Sequence, residues 1–347
     1  MNKIYFIRLS KTKFGGAENY LRRLSKIANN SGYSCKIINS SLPKFFPGWF
    51  KVVLFNLYLF LTKGNKTYFS LDRIVCPDIY RAGDGVHKAF IEIEKKSKLN
   101  PLHPIYLYIE KKCFKNAKLI FANSEMIKNQ IIKYYNIPPK KIKVLHNGIE
   151  FPIFNFYTSQ KKILTELSSI ENCKIILFVG SGYKRKGLEE FLKIVSKITY
   201  KNMKAIVIGK DKSIEKYKKI AADLRIIDKV IFLGPRVDVN DFYTISDIFI
   251  LPTKYEPFSN SVLEAMYFRN AVFTSIYNGA SEILPKESVV SFSEIEDVAH
   301  RVENILIDDS KLESLKEMNH RLSKNFSIEK NLHKVVESLQ LLEKNKF

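Results

Sequence analysis

The sequence is poor in cysteine, and its four cysteines are scattered along the chain without a Cys-x-x-Cys pair: Cys35, Cys76, Cys113 and Cys173. A structural zinc site or a disulfide framework needs several cysteines at close, regular spacing. Neither is expected here, and the composition is typical of a protein in a reducing cytoplasm.

A long apolar run is also missing. The longest, Trp49 to Leu61, is interrupted by Lys51 and Asn56 and is shorter than the roughly 20 residues that cross a bilayer. We interpret it as a buried or interfacial helix. The chain enters an apolar strand at Ile4 without the pattern of a signal peptide, so we expect a cytoplasmic location.

Acidic residues are too few to balance the basic ones, with 35 Asp and Glu against 57 Lys and Arg and a net charge of +22. Residues 1–150 hold 27 basic and 9 acidic residues, which is +18, and the remainder is close to neutral at +4. A lysine bias of the genome would spread evenly. The N-terminal half therefore needs an anionic partner, which is a phosphorylated acceptor, an anionic membrane face or nucleic acid.

Short apolar runs alternate with amphipathic stretches along all 347 residues. This alternation predicts an α/β protein with parallel sheets covered by helices, and the length fits two domains. Predicted strands include Lys3–Ile7, Arg73–Val75 and Ile248–Leu251. Breakers at Asn147-Gly148 and Phe151-Pro152 indicate a linker. We predict domains at residues 1–155 and 156–327, followed by a helix at 328–347.

Two glutamates, Glu256 and Glu264, lie eight residues apart after the strand that ends at Leu251. The first falls on the loop that leaves the strand, and the second in a helix that opens near Ser259. Ligands of open α/β sheets bind at this edge, and carboxylates accept hydrogen bonds from hydroxyls. The alternative is a capped surface helix with ordinary acidic residues.

Two glycine-containing loops follow strands and precede helices. Lys184, Arg185 and Lys186 stand together between Gly180 and Gly187, and such adjacent cations favour a diphosphate; a solvated basic turn is the alternative. Gly15 and Gly16 follow the first strand, where glycines allow a ligand to approach the backbone, although such pairs also form plain turns.

The Glu256–Glu264 string, with Asn278–Glu282 after it, resembles the Glu-x7-Glu motif of retaining glycosyltransferases of family 4 (group 1). The resemblance implies the GT-B fold, which is α/β with two Rossmann-like domains whose parallel sheets face a cleft. In this fold the last helix often crosses back to the first domain. The donor-binding residues that it implies, beyond Glu256, are Gly15, Gly16, His87, Arg185, Lys186, Arg236, Phe258, Ser259, Asn260 and Glu264.

The resemblance also implies roles. Glu264 would bind the ribose, Glu256 the donor sugar, and Lys186 with Arg185 the leaving diphosphate. Asp84, in a string of Asp, Arg, Gly and His between Asp78 and Lys88, resembles the aspartate of the lipopolysaccharide core heptose α-1,3-glucosyltransferases that faces the reacting sugar. Asp84, Lys186 and Glu256 are thus the catalytic candidates. Many relatives carry an arginine where this chain has Ser181, so one phosphate contact is in doubt.

Two further residues, His87 and Arg236, are candidates for contacts with the donor. His87 would bind a donor hydroxyl, against the alternative of a structural histidine. Arg236, after Gly234-Pro235, would hold the nucleotide base through backbone atoms. The Asp-x-Asp motif of metal-dependent glycosyltransferases does not stand out in the sequence, so we expect no metal and no cofactor besides the donor.

The resemblance thus implies a retaining, metal-independent enzyme that moves a hexose, glucose from UDP-glucose, to a lipopolysaccharide core or lipid-linked acceptor. Basic and aromatic residues alternate between His87 and Lys118, including Phe90, Tyr106, Tyr108 and Phe114. With Trp49 and its neighbours, they predict a peripheral position on the inner face of the cytoplasmic membrane. A GDP-sugar donor is one alternative, and a basic nucleic-acid-binding protein is another, although no nucleic-acid partner is expected because the two glutamates would repel phosphate.

Overall fold

The structure is a computed structural model that describes residues 3–9, 16–40, 42–43, 45–94, 100, 102–291 and 294–344. The chain forms two compact units: an N-terminal unit of residues 1–147 with 328–347, and a C-terminal unit of residues 148–327. The division therefore falls before the predicted position at residue 155. Residues after Gly148 join the C-terminal unit because the Ile149 N–H donates to the Phe326 carbonyl at 2.9 Å.

The N-terminal unit contains a six-stranded parallel sheet in the order β2-β1-β3-β4-β5-β6. Its strands are β1 (Lys3–Arg8), β2 (Ser34–Asn39), β3 (Thr67–Ser70), β4 (Ile79–Ala82), β5 (Leu119–Ala122) and β6 (Ile142–Val144). Its helices are α1 (Gly16–Asn30), α2 (Gly48–Thr62), α3 (His87–Ile93), α4 (Leu102–Asn116), α5 (Glu125–Tyr135) and α14 (Ile328–Lys344).

One predicted strand of this unit is wrong. Arg73–Val75 is not a strand. It lies in the connection between β3 and β4, which are the two central strands of the sheet. The Arg73 side chain instead turns inward and donates to the fully buried Glu110. The Val75 backbone is held by side chains, since its N–H donates to Asn56 and its carbonyl accepts from Asn116.

The C-terminal unit contains a second six-stranded parallel sheet, in the order β12-β11-β10-β7-β8-β9. Its strands are β7 (Lys174–Val179), β8 (Met203–Ile208), β9 (Val230–Gly234), β10 (Ile248–Leu251), β11 (Ala271–Ser275) and β12 (Val289–Val290). Its helices are α6 (Phe156–Glu166), α7 (Tyr183–Lys186), α8 (Leu188–Lys197), α9 (Ile214–Asp223), α10 (Val239–Ile245), α11 (Asn260–Tyr267), α12 (Ile295–Ile307) and α13 (Asp309–Ser323).

Both sheets have the doubly wound topology, so the predicted fold of two Rossmann-like parallel-sheet units is confirmed. The strand order reverses between β7 and β10 in the C-terminal sheet, and between β1 and β3 in the N-terminal sheet. Loops that leave neighbouring strands in opposite directions open a crevice at such a point. Each unit therefore has one preferred place for a ligand.

The last helix, α14, packs into the N-terminal unit. Leu332, Val335 and Leu339 are buried in one cluster with Leu21 and Leu24 of α1. Within residues 3–9, 16–40, 42–43, 45–94, 100, 102–291 and 294–344, no helix combines the length and the apolar character needed to cross a bilayer.

Candidate functional site

Two loops at the strand-order reversal of the C-terminal sheet form the candidate site. The first follows β7 and contains α7; the second follows β10 and leads into α11. The Arg185 carbonyl joins them, since it accepts from the Thr253 hydroxyl at 2.9 Å and from the Lys254 N–H at 2.8 Å. The basic residues of the first loop are thus fixed against the glutamate-bearing second loop.

Gly187 allows this close approach. Its φ is +80°, and a Cβ there would lie 1.7 Å from the Pro252 carbonyl oxygen. A side chain at this position would therefore push the two loops apart. The glycine that the sequence pairs with Lys186 is needed for contact between the loops.

Glu256 is the centre of the charge cluster. Its Oε2 atom lies 2.5 Å from the Lys186 ammonium and also contacts the Arg185 guanidinium. The side chains of Lys186 and Glu256 are only 11% and 15% exposed. Burial opposes ionisation of Glu256, but the two cations outweigh it and lower its pKa. Burial lowers the pKa of Lys186, which Glu256 offsets in part.

Glu264 has a different environment. It lies on α11 and accepts a hydrogen bond from the Tyr243 hydroxyl at 3.1 Å. Burial raises its pKa, and Tyr243 and Lys186 reduce that shift. Glu264 is half-buried. A half-buried carboxylate gains from further donors, and vicinal hydroxyls of a ligand would supply them.

A turn at Asn278 holds the second loop in place. The Asn278 side-chain oxygen accepts from the Ser259 N–H at 3.2 Å and the Ala280 N–H at 3.1 Å. The Glu256 backbone is fixed from both sides, because its N–H donates to Tyr277 and its carbonyl accepts from Gly279. The sequence indicated that Asn278–Glu282 accompanies the motif but assigned Asn278 no function.

The remaining donor candidates of this unit differ in exposure. Phe258 and Ser259 are buried, at 4% and 2% exposed, whereas Asn260 is exposed at the start of α11. The Ser259 hydroxyl oxygen lies 2.8 Å from the Ser261 hydroxyl oxygen. Phe258 and Ser259 therefore shape the loop, and Asn260 is the one of the three with a free path to solvent.

The Arg236 side chain is already occupied. Its guanidinium donates to both carboxylate oxygens of Glu166, at 2.7 and 2.8 Å, and to those of Asp238, both at 2.9 Å. These hydrogen bonds raise the pKa of Arg236 and lower that of Asp238. The guanidinium is thus committed to protein carboxylates, and only the backbone of Arg236 fits the predicted contact.

In the N-terminal unit, Asp84 is exposed on the turn after β4, and His87 begins α3. The buried Glu110 accepts from the His87 N–H and from Arg73, both at 2.7 Å. The His87 ring lies 3.1 Å from that of His103. Burial and the Arg73 charge lower the pKa of His87 to about 4, so its imidazole is neutral at pH 7.

The predicted glycine pair, Gly15 and Gly16, spans the start of the described part of α1. Gly15 lies outside the described residues, and Gly16 is the first residue of α1. In the part of the chain that the structure describes, no three His, Cys, Asp or Glu side chains come together in a group suited to a metal ion.

The sequence analysis missed Tyr243, Arg73 and Glu110 as residues of the two sites, since nothing in their local patterns marks them.

Two stretches of the chain match protein-family models. Residues 159–326 match the model of the glycosyl transferases group 1, and residues 85–151 match that of Glycosyltransferase Family 4. The first match contains Arg185, Lys186, Glu256 and Glu264. The second contains His87.

Curated relatives match about half of the chain. The chain is 29% identical over 174 residues to an uncharacterized glycosyltransferase of Methanocaldococcus jannaschii, covering 48% of this chain and 45% of that protein. It is 27% identical to an N,N'-diacetylbacillosaminyl-diphospho-undecaprenol alpha-1,3-N-acetylgalactosaminyltransferase of Campylobacter jejuni, covering 47% and 42%. The chain spans about half the length of the curated relatives it matches.

Solved structures share the fold over nearly the whole chain. WaaG, a glycosyltransferase involved in lipopolysaccharide biosynthesis, superposes with a TM-score of 0.78 at 17% identity and covers 96% of this chain and 98% of its own. An Anabaena protein in complex with UDP and glucose superposes with a TM-score of 0.73 at 16% identity, covering 98% and 100%. The fold is therefore GT-B, and the glycosyl transferases group 1 model matches the unit that holds Lys186, Glu256 and Glu264.

Proposed function

We propose that the protein is a retaining, metal-independent glycosyltransferase. It transfers a hexose, glucose from UDP-glucose, to a lipopolysaccharide core or lipid-linked glycan at the cytoplasmic face of the membrane. The observation that carries the proposal is the cluster in which Glu256 contacts both Lys186 and Arg185 next to Glu264.

The cluster suits a nucleotide diphosphate sugar. A diphosphate competes with Glu256 for Lys186 and Arg185, and these cations stabilise the charge that develops on it as it leaves. Glu264 accepts hydrogen bonds from the ribose, and Glu256 accepts them from the sugar. UDP and glucose are the ligands of the Anabaena structure, which supports this donor.

The proposed reaction needs no metal. The acceptor oxygen bonds to the anomeric carbon on the face from which the diphosphate leaves, and the acceptor proton passes to a phosphate oxygen. Lys186 and Arg185 bear the charge of the leaving group, and Glu256 orients the sugar. The roles of Asp84 and His87 remain predictions.

The acceptor class is supported by relatives. The name of the Campylobacter relative states a diphospho-undecaprenol acceptor, and WaaG is described as a lipopolysaccharide enzyme. The nucleic-acid alternative gains no support from these comparisons. A GDP-sugar donor is the alternative, because a contact between Glu264 and a ribose does not depend on the base.

A thermal-shift screen tests the donor. The purified protein is heated with UDP, GDP, ADP and their hexose conjugates in EDTA, because a ligand that binds only the folded state raises the melting temperature. We expect UDP and UDP-glucose to give the largest shifts. Larger shifts with GDP conjugates would replace the donor, and a response to DNA without any response to nucleotide sugars would contradict the proposal.

A further inference from the structure

The exposed face of α2 is apolar along its whole length. Five side chains at helical spacing, 39% to 73% exposed, form this face, which we name the α2 stripe: Trp49, Val53, Leu57, Phe60 and Leu61. Lys51 is the only charged residue in the helix. The opposite face of α2 is buried, so the helix is apolar on both sides and only one side is covered by its own unit.

An exposed stripe of this size needs an occupant, because large contiguous apolar patches mark interaction sites. With 15 residues, α2 is shorter than the roughly 20 that cross a bilayer. A helix of this length can contact a bilayer only in the plane of the membrane, with its exposed apolar face toward the acyl chains.

The helix beside α2 supplies positive charge. The Val75 backbone connects the two helices, since its N–H donates to Asn56 of α2 and its carbonyl accepts from Asn116 of α4, both at 2.7 Å. On α4 the exposed side chains include Lys111, Lys112 and Lys115. Exposed lysines on the helix that packs beside α2 match a surface of anionic headgroups.

The aromatic part of this surface differs from the sequence prediction. Phe114 is buried and packs against Tyr80 and Tyr135, and Tyr106 is half-buried. Tyr108, at 60% exposed, is the aromatic residue of α4 that reaches solvent. The apolar contact therefore comes from α2, and α4 contributes mainly charge.

The buried face of α2 leads to the N-terminal sheet. Val52, Phe55 and Asn56 line a cavity of about 60 Å³ together with Asp72, Arg73 and Asp84. Leu9, just after β1, also lines it, so the cavity lies where the strand order reverses between β1 and β3. Asp72 and Arg73 are paired with Arg8 and Glu110. One helix thus separates the α2 stripe from a cavity whose Asp84 carboxylate can accept hydrogen bonds from a sugar.

We propose that the α2 stripe inserts into an anionic bilayer and brings this cavity to the membrane surface, so that an acceptor anchored in lipid is bound directly from the bilayer. The bilayer contact stands independently. The statement about the acceptor rests on the proposed transferase function.

Trp49 reports the insertion, because it is the only tryptophan of the chain. Vesicles of phosphatidylglycerol and phosphatidylcholine, with brominated acyl chains, are added to the wild-type protein. We expect a blue shift and quenching of the fluorescence, and weaker binding to phosphatidylcholine alone. Binding to anionic vesicles without quenching would overturn insertion.

Variants locate the contact. Leu57→Gln/Leu61→Gln should lower the vesicle partition coefficient roughly tenfold or more, since each leucine loses its apolar burial. Ile153→Gln/Ile307→Gln is the matched control, because these isoleucines are also exposed, at 103% and 64%, but lie in the C-terminal unit. Equal losses in both pairs, or a wild-type dimer that the first pair dissociates, would overturn the proposal.

The acceptor part is tested by transfer to one glycan in two forms, lipid-anchored in vesicles and water-soluble without lipid. Leu57→Gln/Leu61→Gln should lower kcat/KM about tenfold for the anchored form and leave the soluble form unchanged. Equal kcat/KM of variant and wild type on the anchored form would overturn it. If the wild type uses neither form, the transferase proposal fails while the vesicle result stands.

Discussion

Lys186→Ala separates a role in the reaction from a role in folding. The Lys186 ammonium is nearly buried against Glu256, and Arg185 contacts the same carboxylate oxygen. Removal of Lys186 therefore leaves Glu256 with one cationic partner. We expect a loss of about 1–3 kcal/mol in the free energy of unfolding, the usual cost of leaving a buried polar group short of one partner, because Arg185 still neutralises Glu256.

The loss of activity should be larger. Lys186 is placed to stabilise charge on the departing diphosphate, and removal of one such group typically costs about 10²–10³ in kcat. Steady-state release of UDP from UDP-glucose in the presence of acceptor measures this, alongside the melting temperature of the same preparation. The comparison tells whether activity falls further than stability explains.

Lys184→Ala is the matched control. Lys184 lies on the same short helix, α7, but its side chain is exposed. It should retain both activity and stability, because an exposed lysine without a buried partner contributes little. Full activity in Lys184→Ala and Lys186→Ala alike would refute the assignment of Lys186.

Two further predictions concern the geometry and the titration of the sites. Gly187→Ala should lower the melting temperature by several degrees and abolish transfer, because its Cβ would meet the Pro252 carbonyl. Gly182→Ala is the control, since Gly182 also has a positive φ but has open space around its Cβ, so this variant should show the backbone strain alone. Equal effects of the two substitutions would contradict the steric reason. For His87, whose pKa is lowered to about 4 by burial and Arg73, the unfolded state binds the proton first as pH falls. The resulting stability is complete above about pH 6.5 and is lost toward pH 4, an effect of about 1–2 kcal/mol after solvent screening. Denaturant titrations of wild type and His87→Gln should therefore converge as pH falls through this range, and parallel curves would contradict the shift.

The parts of the site that follow a strand were predictable from local sequence. The apolar run of β10 and the opening of α11 place Glu256 and Glu264 at a sheet edge, and the glycines around Lys186 mark a strand-to-helix turn. Each of these signals lies within about ten residues of the side chain it positions. That is why the two loops of the C-terminal unit could be predicted without the structure.

The contacts between distant segments could not be predicted. Arg185 meets Glu256 from 71 positions away, and Arg73 meets Glu110 from 37. The strand β4 was also missed, because Ile79–Ala82 is short and is followed by Gly83-Asp84-Gly85, which is typical of a loop. Its Tyr80 is nevertheless fully buried, so tertiary packing decides the conformation of this segment.

The most direct test of the central claim is calorimetric titration of UDP into wild type and Glu264→Ala in EDTA, with Glu287→Ala as the control because Glu287 is exposed on the same unit. Loss of hydrogen bonds from a ribose to this half-buried carboxylate should weaken UDP binding at least roughly tenfold in Glu264→Ala and leave Glu287→Ala unchanged. Unchanged UDP affinity in Glu264→Ala, or no UDP binding by the wild type, would contradict the account.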